Sequence, residues 1–220
     1  MGEWIPLTTP AGPVQGWLAR PQRAPLGAVV VIQEIFGVNA HIHAVADRFA
    51  ASGFTALAPA VFDPLRPGVE LGYDEAGIAR GRELAAELGF DQAVAIVSAA
   101  AHWLREAGHR VGATGFCWGG TVAMLANTRL ALPSVTYYGG RSVPFLHEQA
   151  RAPMLFHFGE RDPLIPPEDV DKHRRHHPEA VVYVYPAGHG FNCDMRRDYA
   201  ADSAALAWER SIDFLTEHLR

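Results

Sequence analysis

The sequence predicts one α/β domain over residues 1–220, with a mostly parallel central sheet, helices on both faces and an antiparallel hairpin near the N-terminus. First, short runs rich in β-branched and aromatic residues alternate with longer helical stretches from about residue 27 onward. Second, several of these runs are apolar at successive positions, as in strands that are covered on both faces. Third, an apolar fraction of 49% without a flexible linker suffices for one hydrophobic core.

The strands are predicted from their apolar runs and from the turn residues between them. EWIPL and VQGWLA flank the turn TTPAGP, which indicates the N-terminal hairpin. Later runs such as AVVVIQ and MLFHFG are short and largely apolar, which favours parallel strands. The parallel strands are predicted at 28–33, 54–59, 110–115, 134–139, 154–159 and 180–185.

Helices are predicted where apolar residues recur at three- and four-residue intervals. The stretch 59–70 is rich in proline and predicts an irregular excursion instead. The helical ranges are 40–52, 74–88, 91–107, 119–130, 167–176 and 198–219. The last helix carries an apolar stripe that we expect to pack on the sheet, formed by Ala204, Ala207, Trp208, Ile212, Leu215 and Leu219.

Composition narrows the class of function. The net charge of −5 comes without a basic stripe, so no nucleic-acid partner is expected. The chain lacks a run of about 18 apolar residues and the features of a signal peptide, so we expect no membrane partner. With two cysteines, the reducing cytoplasm is the expected compartment. A monomer or small homo-oligomer that acts on a small molecule fits this composition.

The motif GFCWGG at 115–120 lies between a predicted strand and a predicted helix. In a nucleophile elbow, glycines permit a crowded turn that lifts the nucleophile above the sheet, and the following helix directs its N-terminus at the site. A free cysteine is commonly a buried small hydrophobe. The glycines around Cys117 favour a nucleophile, since a thiolate is stabilised at a helix N-terminus.

An acid and a histidine follow the cysteine in the order that α/β-hydrolases use. MLFHFGERD leaves one predicted strand and reaches Asp162, while VVYVYPAGHGF leaves the next and reaches His189. Glu160 is the competing acid, but Asp162 begins the polar loop DPLIPP. His189 lies between two glycines, unlike the histidines of the run KHRRHH. That run indicates a solvated helix face without metal-ligand spacing, and no metal or organic cofactor is predicted.

The segment QEIFG at 33–37 leaves the first parallel strand where α/β-hydrolases form half of their oxyanion hole. The backbone N–H groups of Ile35 and Trp118 are therefore the predicted oxyanion donors. Glu34 ends an apolar run and, if it points inward, needs a hydrogen bond or a raised pKa. A carboxylate near Cys117 would keep the thiol protonated until substrate binds. The alternative is an outward structural glutamate at a strand end.

Five motifs occur in the order VIQEIFGVN, GFCWGG, YYGG, HFGERDPLIP and AGHGFN. Through them, nearly the whole chain resembles the dienelactone hydrolase family of α/β-hydrolases. The resemblance implies an enzyme that opens an enol-lactone ring with a Cys–His–Asp triad, here Cys117, His189 and Asp162. It also implies that Glu34 holds the resting cysteine. Tyr137 matches a tyrosine that lines the family pocket, with a buried strand aromatic as the alternative.

The resemblance further implies two arginines that hold the carboxylate of the substrate. Arg80 matches the first position, with Arg82 as a competitor. The second position is Cys193 in this chain, although Arg196 and Arg197 lie close to it in sequence. This departure puts dienelactone itself in doubt as the substrate.

Three other functions stay open at this stage. The first is a broad carboxylesterase or thioesterase that acts on small acyl groups. The second is a thiol-redox sensor in which Cys117 and Cys193 are the reactive and resolving thiols. A carboxylate beside Cys117 argues against the sensor, because it suppresses the thiolate. The third is a binding module that retains the triad without using it.

Overall fold

A computed structural model describes residues 2–220, in two compact units. The first unit runs to Gly112 and includes Leu219–Arg220, and the second covers Ala113–His218. Both alternate strands with helices, as the periodicities predict. The single domain over 1–220 stays a prediction.

Four strands form the sheet of the first unit in the order β1-β2-β4-β3. β1 and β2 form the predicted antiparallel hairpin, and β2 also pairs antiparallel with β4. The pairing of β3 with β4 is parallel. All residues of β3 and β4 are buried, which confirms that their continuous apolar runs are covered strands. The strands are β1 (Glu3–Thr9), β2 (Gly12–Ala19), β3 (Ala28–Ile32) and β4 (Thr55–Pro59).

Two helices of this unit begin at side-chain caps. In α1 (Ala40–Ala51) the carboxamide of Asn39 accepts from the Ile42 N–H, and in α2 (Glu75–Glu106) Asp74 plays the same role. The φ of +71° at Gly89 interrupts the helical backbone of α2, where the sequence predicts one helix ending and another beginning. The predicted excursion at 59–70 consists mainly of turns.

The helix α2 is long and apolar enough, by length and composition alone, to cross a membrane. Half of its most apolar window is buried inside the protein. The core helix of a globular protein can be equally long and apolar. Twelve residues of α2 are buried.

The second unit contains four parallel strands in the order β5-β6-β7-β8, the first of which starts within the first unit. Parallel strands end at the same edge of a sheet, so the loops that follow them lie together. The strands are β5 (Val111–Phe116), β6 (Ser134–Tyr137), β7 (Met154–Gly159) and β8 (Val181–Tyr185). The helices are α3 (Trp118–Leu130), α4 (Pro167–His176) and α5 (Ala201–Leu219).

The apolar stripe of α5 faces inward, as predicted. Ala207 and Leu215 are fully buried. Ser211 of the same face hydrogen-bonds with Tyr137 of β6 and His157 of β7, so α5 packs on the sheet. The stripe therefore attaches the C-terminal helix to the strands that precede the site.

The prediction of a solvated face for the run KHRRHH is wrong for two of its histidines. His176 is exposed, but His173 and His177 are buried. Residues four apart share one face of a helix, and this face packs its imidazole rings against Phe156 of β7. The high polarity of the run hid this contact, because a neutral imidazole can pack as an aromatic ring.

The burial of His173 predicts acid sensitivity of the fold. Burial lowers the pKa of His173 to about 4, more than its hydrogen bond to the Asp169 carbonyl raises it. The pKa in the folded state lies below the unfolded value of 6.5, so the neutral ring stabilises the fold above about pH 6.5. This contribution, about 3 kcal/mol, is lost as the pH falls through about 4.

Urea unfolding between about pH 7 and about pH 4.5 tests this expectation in wild type, His173→Gln and the exposed control His176→Gln. The stability advantage of wild type over His173→Gln should shrink as the pH falls. The curve of His176→Gln should stay parallel to that of wild type. Parallel curves for all three proteins would contradict the role of His173.

Candidate active site

The turn between β5 and α3 holds Cys117 in a left-handed backbone conformation, with φ +54° and ψ −120°. Non-glycine residues adopt such angles only where the surroundings impose them. The space is tight, since a Cβ on Gly115 would lie 1.9 Å from the Gly119 carbonyl oxygen. The Gly120 N–H donates to the Cys117 carbonyl at 2.9 Å and closes the turn. The motif is thus a crowded strand-turn-helix element, as the glycine spacing predicts.

The end of β6 supports this turn from beside it. The Cys117 N–H donates to the Tyr137 carbonyl at 3.0 Å, and the rings of Phe116 and Tyr137 stack at 4.8 Å. Helix α3 also passes close to β6, because a Cβ on Gly120 would lie 2.7 Å from the same carbonyl. Cys117 is only partly buried.

The structure brings together the three residues that the motif order predicts as a triad. Asp162 follows β7 and His189 follows β8. The His189 Nδ1 donates to the Asp162 Oδ2 at 2.7 Å, and its Nε2 lies 3.1 Å from the Cys117 Sγ. The other carboxylate oxygen of Asp162 accepts from the Leu164 N–H at 2.8 Å. The competing acid Glu160 is exposed.

The electrostatics of His189 differ from those of an ordinary buried histidine. Burial lowers its pKa, but the hydrogen bonds to Asp162 and Cys117 and their charges outweigh burial and raise the pKa to about 10. At neutral pH the ring therefore holds both protons. An imidazolium 3.1 Å from a sulfur stabilises the thiolate. The restraint of the resting thiol by Glu34 stays a prediction.

Three of the predicted site residues lie in the first unit, namely Glu34, Ile35 and Arg80. Glu34 follows β3 and is 1% exposed, so the outward alternative is wrong. A Cβ on Gly81 would lie 2.3 Å from the Ile35 carbonyl, so α2 packs directly against this turn. Arg80, next to that contact, pairs with Glu83 at 2.9 Å and is half-exposed. The competitor Arg82 is exposed.

Tyr137 has the surroundings of a buried strand aromatic, the alternative that the sequence left open. Its side chain is fully buried, and its hydroxyl lies 2.7 Å from the Ser211 Oγ. The next residue, Tyr138, packs edge-on against His189 with ring centroids 5.2 Å apart. Its φ of +42° is left-handed, like that of Cys117. Sequence reasoning missed Tyr138, although it directly precedes the two glycines after β6.

The position that the family resemblance associates with an arginine is a cysteine in this chain. Cys193 is fully buried, and neither cysteine forms a disulfide bond. The guanidinium of Arg196 instead packs on the backbone beside His189, since a Cβ on Gly190 would lie 2.6 Å from its Cζ. Of the two arginines that could take the place of the family arginine, Arg196 therefore lies against the loop that carries His189.

A separate surface cavity of about 280 Å³ lies beside the loops of the acid and the histidine. Cys117, Asp162 and His189 do not line this cavity. Its walls are Arg161, Ala187, Gly188, Arg197, Asp198, Tyr199 and Ala200.

Comparisons with known proteins show which proteins this chain is similar to. A model of the dienelactone hydrolase family matches residues 14–219. A carboxymethylenebutenolidase of Pseudomonas putida is 32% identical over 213 residues, which cover 89% of this chain and 87% of that protein. A Yersinia pestis protein provisionally given the same name is 33% identical over 224 residues, covering 92% and 83%.

A solved structure from Klebsiella pneumoniae, provisionally named a dienelactone hydrolase, has a TM-score of 0.87 at 28% identity. It covers 99% of this chain, and this chain covers 98% of it. The α/β-hydrolase fold that the sequence predicts is therefore confirmed.

Gly115→Ala should abolish ester hydrolysis, because the added Cβ lies 1.9 Å from the Gly119 carbonyl and displaces the turn that carries Cys117. Gly72→Ala is the control, since its Cβ meets only Asp74 at 3.8 Å, an ordinary contact. Hydrolysis of p-nitrophenyl acetate and circular dichroism measure activity and folding. Full activity in Gly115→Ala would show that the turn tolerates displacement.

Proposed function

Since this chain belongs to the dienelactone hydrolase family, we propose that it hydrolyses a small lactone or ester through an acyl-enzyme on Cys117. The enzyme is a hydrolase of esters or lactones, as its relatives and family indicate. The observation that carries the mechanism is the continuous hydrogen-bonded series from the sulfur through His189 to Asp162, at 3.1 and 2.7 Å. Three residues far apart in sequence converge in the arrangement that activates a nucleophile.

In the first step, the Cys117 thiolate attacks the carbonyl carbon of the substrate. The resulting oxyanion is stabilised by the Trp118 amide at the N-terminus of α3, and the sequence predicts the Ile35 amide as the second donor. The carbon–oxygen bond to the leaving group then breaks. His189 gives its Nε2 proton to the leaving alkoxide, which forms an alcohol and a thioester on Cys117.

In the second step, water hydrolyses the thioester on Cys117. The acylated sulfur has no charge, so one of the contributions that raise the pKa of His189 is absent in this state. The neutral imidazole, oriented by Asp162, accepts a proton from water as the water oxygen attacks the thioester. The carbon–sulfur bond breaks, which releases the carboxylic acid and restores the thiolate beside the imidazolium.

The substrate class rests on fewer observations than the mechanism. Relatives named carboxymethylenebutenolidase favour a lactone. The buried Cys193 favours the broader carboxylesterase or thioesterase as the second candidate, because it cannot hold a substrate carboxylate. A redox sensor has less support, since a fully buried thiol is a poor resolving cysteine. The restraint by Glu34, the cytoplasmic compartment and the oligomeric state stay predictions.

Cys117→Ala should lower kcat for p-nitrophenyl acetate by about three orders of magnitude or more, because the nucleophile is absent. Cys193→Ala, the control for removing a thiol, should retain most activity. Intact mass spectrometry should detect an acetylated intermediate in wild type and in Cys193→Ala, but not in Cys117→Ala. Wild-type turnover in Cys117→Ala would refute the proposed nucleophile.

Arg80→Ala should lower kcat/KM for dienelactone by about tenfold or more, because a charge-assisted hydrogen bond to the substrate carboxylate is lost. Hydrolysis of p-nitrophenyl acetate, which has no carboxylate, should not change. Arg105→Ala, in the exposed last turn of the same helix, is the control. Unchanged dienelactone hydrolysis in Arg80→Ala would reject this carboxylate site and favour the broader esterase.

A further inference from the structure

Four buried polar residues beneath the triad form one connected series, called here the buried network: Tyr137, Ser211, His157 and Tyr185. The Tyr137 hydroxyl lies 2.7 Å from the Ser211 Oγ, and the His157 Nε2 lies 2.9 Å from the same oxygen. The His157 Nδ1 lies 2.8 Å from the Tyr185 hydroxyl. Three of the four are fully buried, and Tyr185 is nearly so. The proposed reaction uses none of their side chains.

Each hydrogen bond of the buried network can be given a donor and an acceptor from the number of protons that its members carry. The Ser211 hydroxyl donates to the Ala207 carbonyl at 2.7 Å, so its oxygen accepts from Tyr137 and from the His157 Nε2–H. The unprotonated Nδ1 of His157 then accepts from Tyr185, which accepts from Arg210 at 3.1 Å. Burial, followed by the charge of Arg210, lowers the pKa of His157 to about 3. The ring is therefore neutral at neutral pH, and the directions persist.

One end of the buried network holds the nucleophile. Tyr137 accepts the Cys117 N–H through its carbonyl at 3.0 Å, while the Tyr138 N–H donates to the His157 carbonyl at 2.8 Å. Cys117 and Tyr138 are two of the three non-glycine residues with positive φ among residues 2–220. Strained backbone persists only where neighbouring structure determines it. The side chains of Tyr137 and His157 anchor the two carbonyl groups that hold these strained residues.

The other end holds the loops of the acid and the base. The Tyr185 carbonyl accepts from the Glu160 N–H at 2.8 Å and from the Ala187 N–H at 2.7 Å. Each donor lies two residues before a member of the triad, Asp162 or His189. The buried network thus connects the ends of β6, β7 and β8, from which the proposed triad is held.

We propose that the buried network positions the triad, with Ser211 as the residue that joins the nucleophile side to the acid and base side. Its members are positioning residues, since they act through the backbone of other residues. This inference rests on the proposed role of Cys117. Loss of the Ser211 hydroxyl leaves two buried donors without their acceptor, and the strand ends can then shift relative to one another.

The test compares Ser211→Ala with Ser134→Ala, a fully buried serine of β6 whose hydroxyl donates to the Leu132 carbonyl at 2.9 Å, outside the network. Ser211→Ala should lower kcat for p-nitrophenyl acetate by about tenfold with little change in KM, because misplaced groups slow the chemical step. Alkylation of Cys117 by iodoacetamide should slow as well. Ser134→Ala should lower the Tm without changing either rate.

Tyr137→Phe supplies a second variant that keeps the aromatic packing and removes one hydroxyl, so the test stands even if Ser211→Ala does not fold. The double variant Tyr137→Phe/Ser211→Ala should lose no more activity than Ser211→Ala, because both changes break one series. A lowered Tm with wild-type kcat and alkylation rate in both variants would overturn the proposal. Alkylation needs no substrate, so it reports positioning even if Cys117→Ala shows that the proposed hydrolysis is wrong.

Discussion

The left-handed backbone of Cys117 is the constraint on which the rest of the site depends. The Cys117 backbone adopts φ +54° at the end of β5 only because the neighbouring residues impose this conformation. Gly115 leaves room for the Gly119 carbonyl, and the Tyr137 carbonyl accepts the Cys117 N–H. We expect removal of either support to relax the strain and to move the sulfur away from His189.

Three buried histidines show how partners set the chemistry of one residue type. Burial lowers the pKa of His157 to about 3 and that of His173 to about 4, because their partners are hydroxyl and carbonyl groups. His189 is also buried, but Asp162 and Cys117 raise its pKa to about 10. The difference in pKa arises from the hydrogen bonds to two ionisable partners and from their charges, rather than from depth of burial. His157 and His173 are thus neutral residues of the core, whereas His189 takes part in the proposed reaction.

The proposed catalytic residues and the proposed recognition residues are held in different ways. The side chains of Asp162 and His189 have fixed partners at hydrogen-bond distance and almost no exposure. Arg80 is half-exposed, and its pair with Glu83 is of the surface kind that contributes little. Cys193, at the position that the family resemblance associates with an arginine, is fully buried. The structure therefore gives more support to the proposed mechanism than to any one substrate.

The fold class, the order of elements and the candidate triad Cys117, Asp162 and His189 could be predicted from the sequence, because glycine spacing and strand periodicity are local properties. The sequence also placed the break of α2 near Gly89. Only the tertiary structure decided that Tyr137 belongs to the core, that Tyr138 faces His189, and that His173 and His177 are buried. Only the structure joined Ser211 to His157. These facts depend on contacts between distant segments, and a polar residue in a sequence does not reveal which partners will bury it.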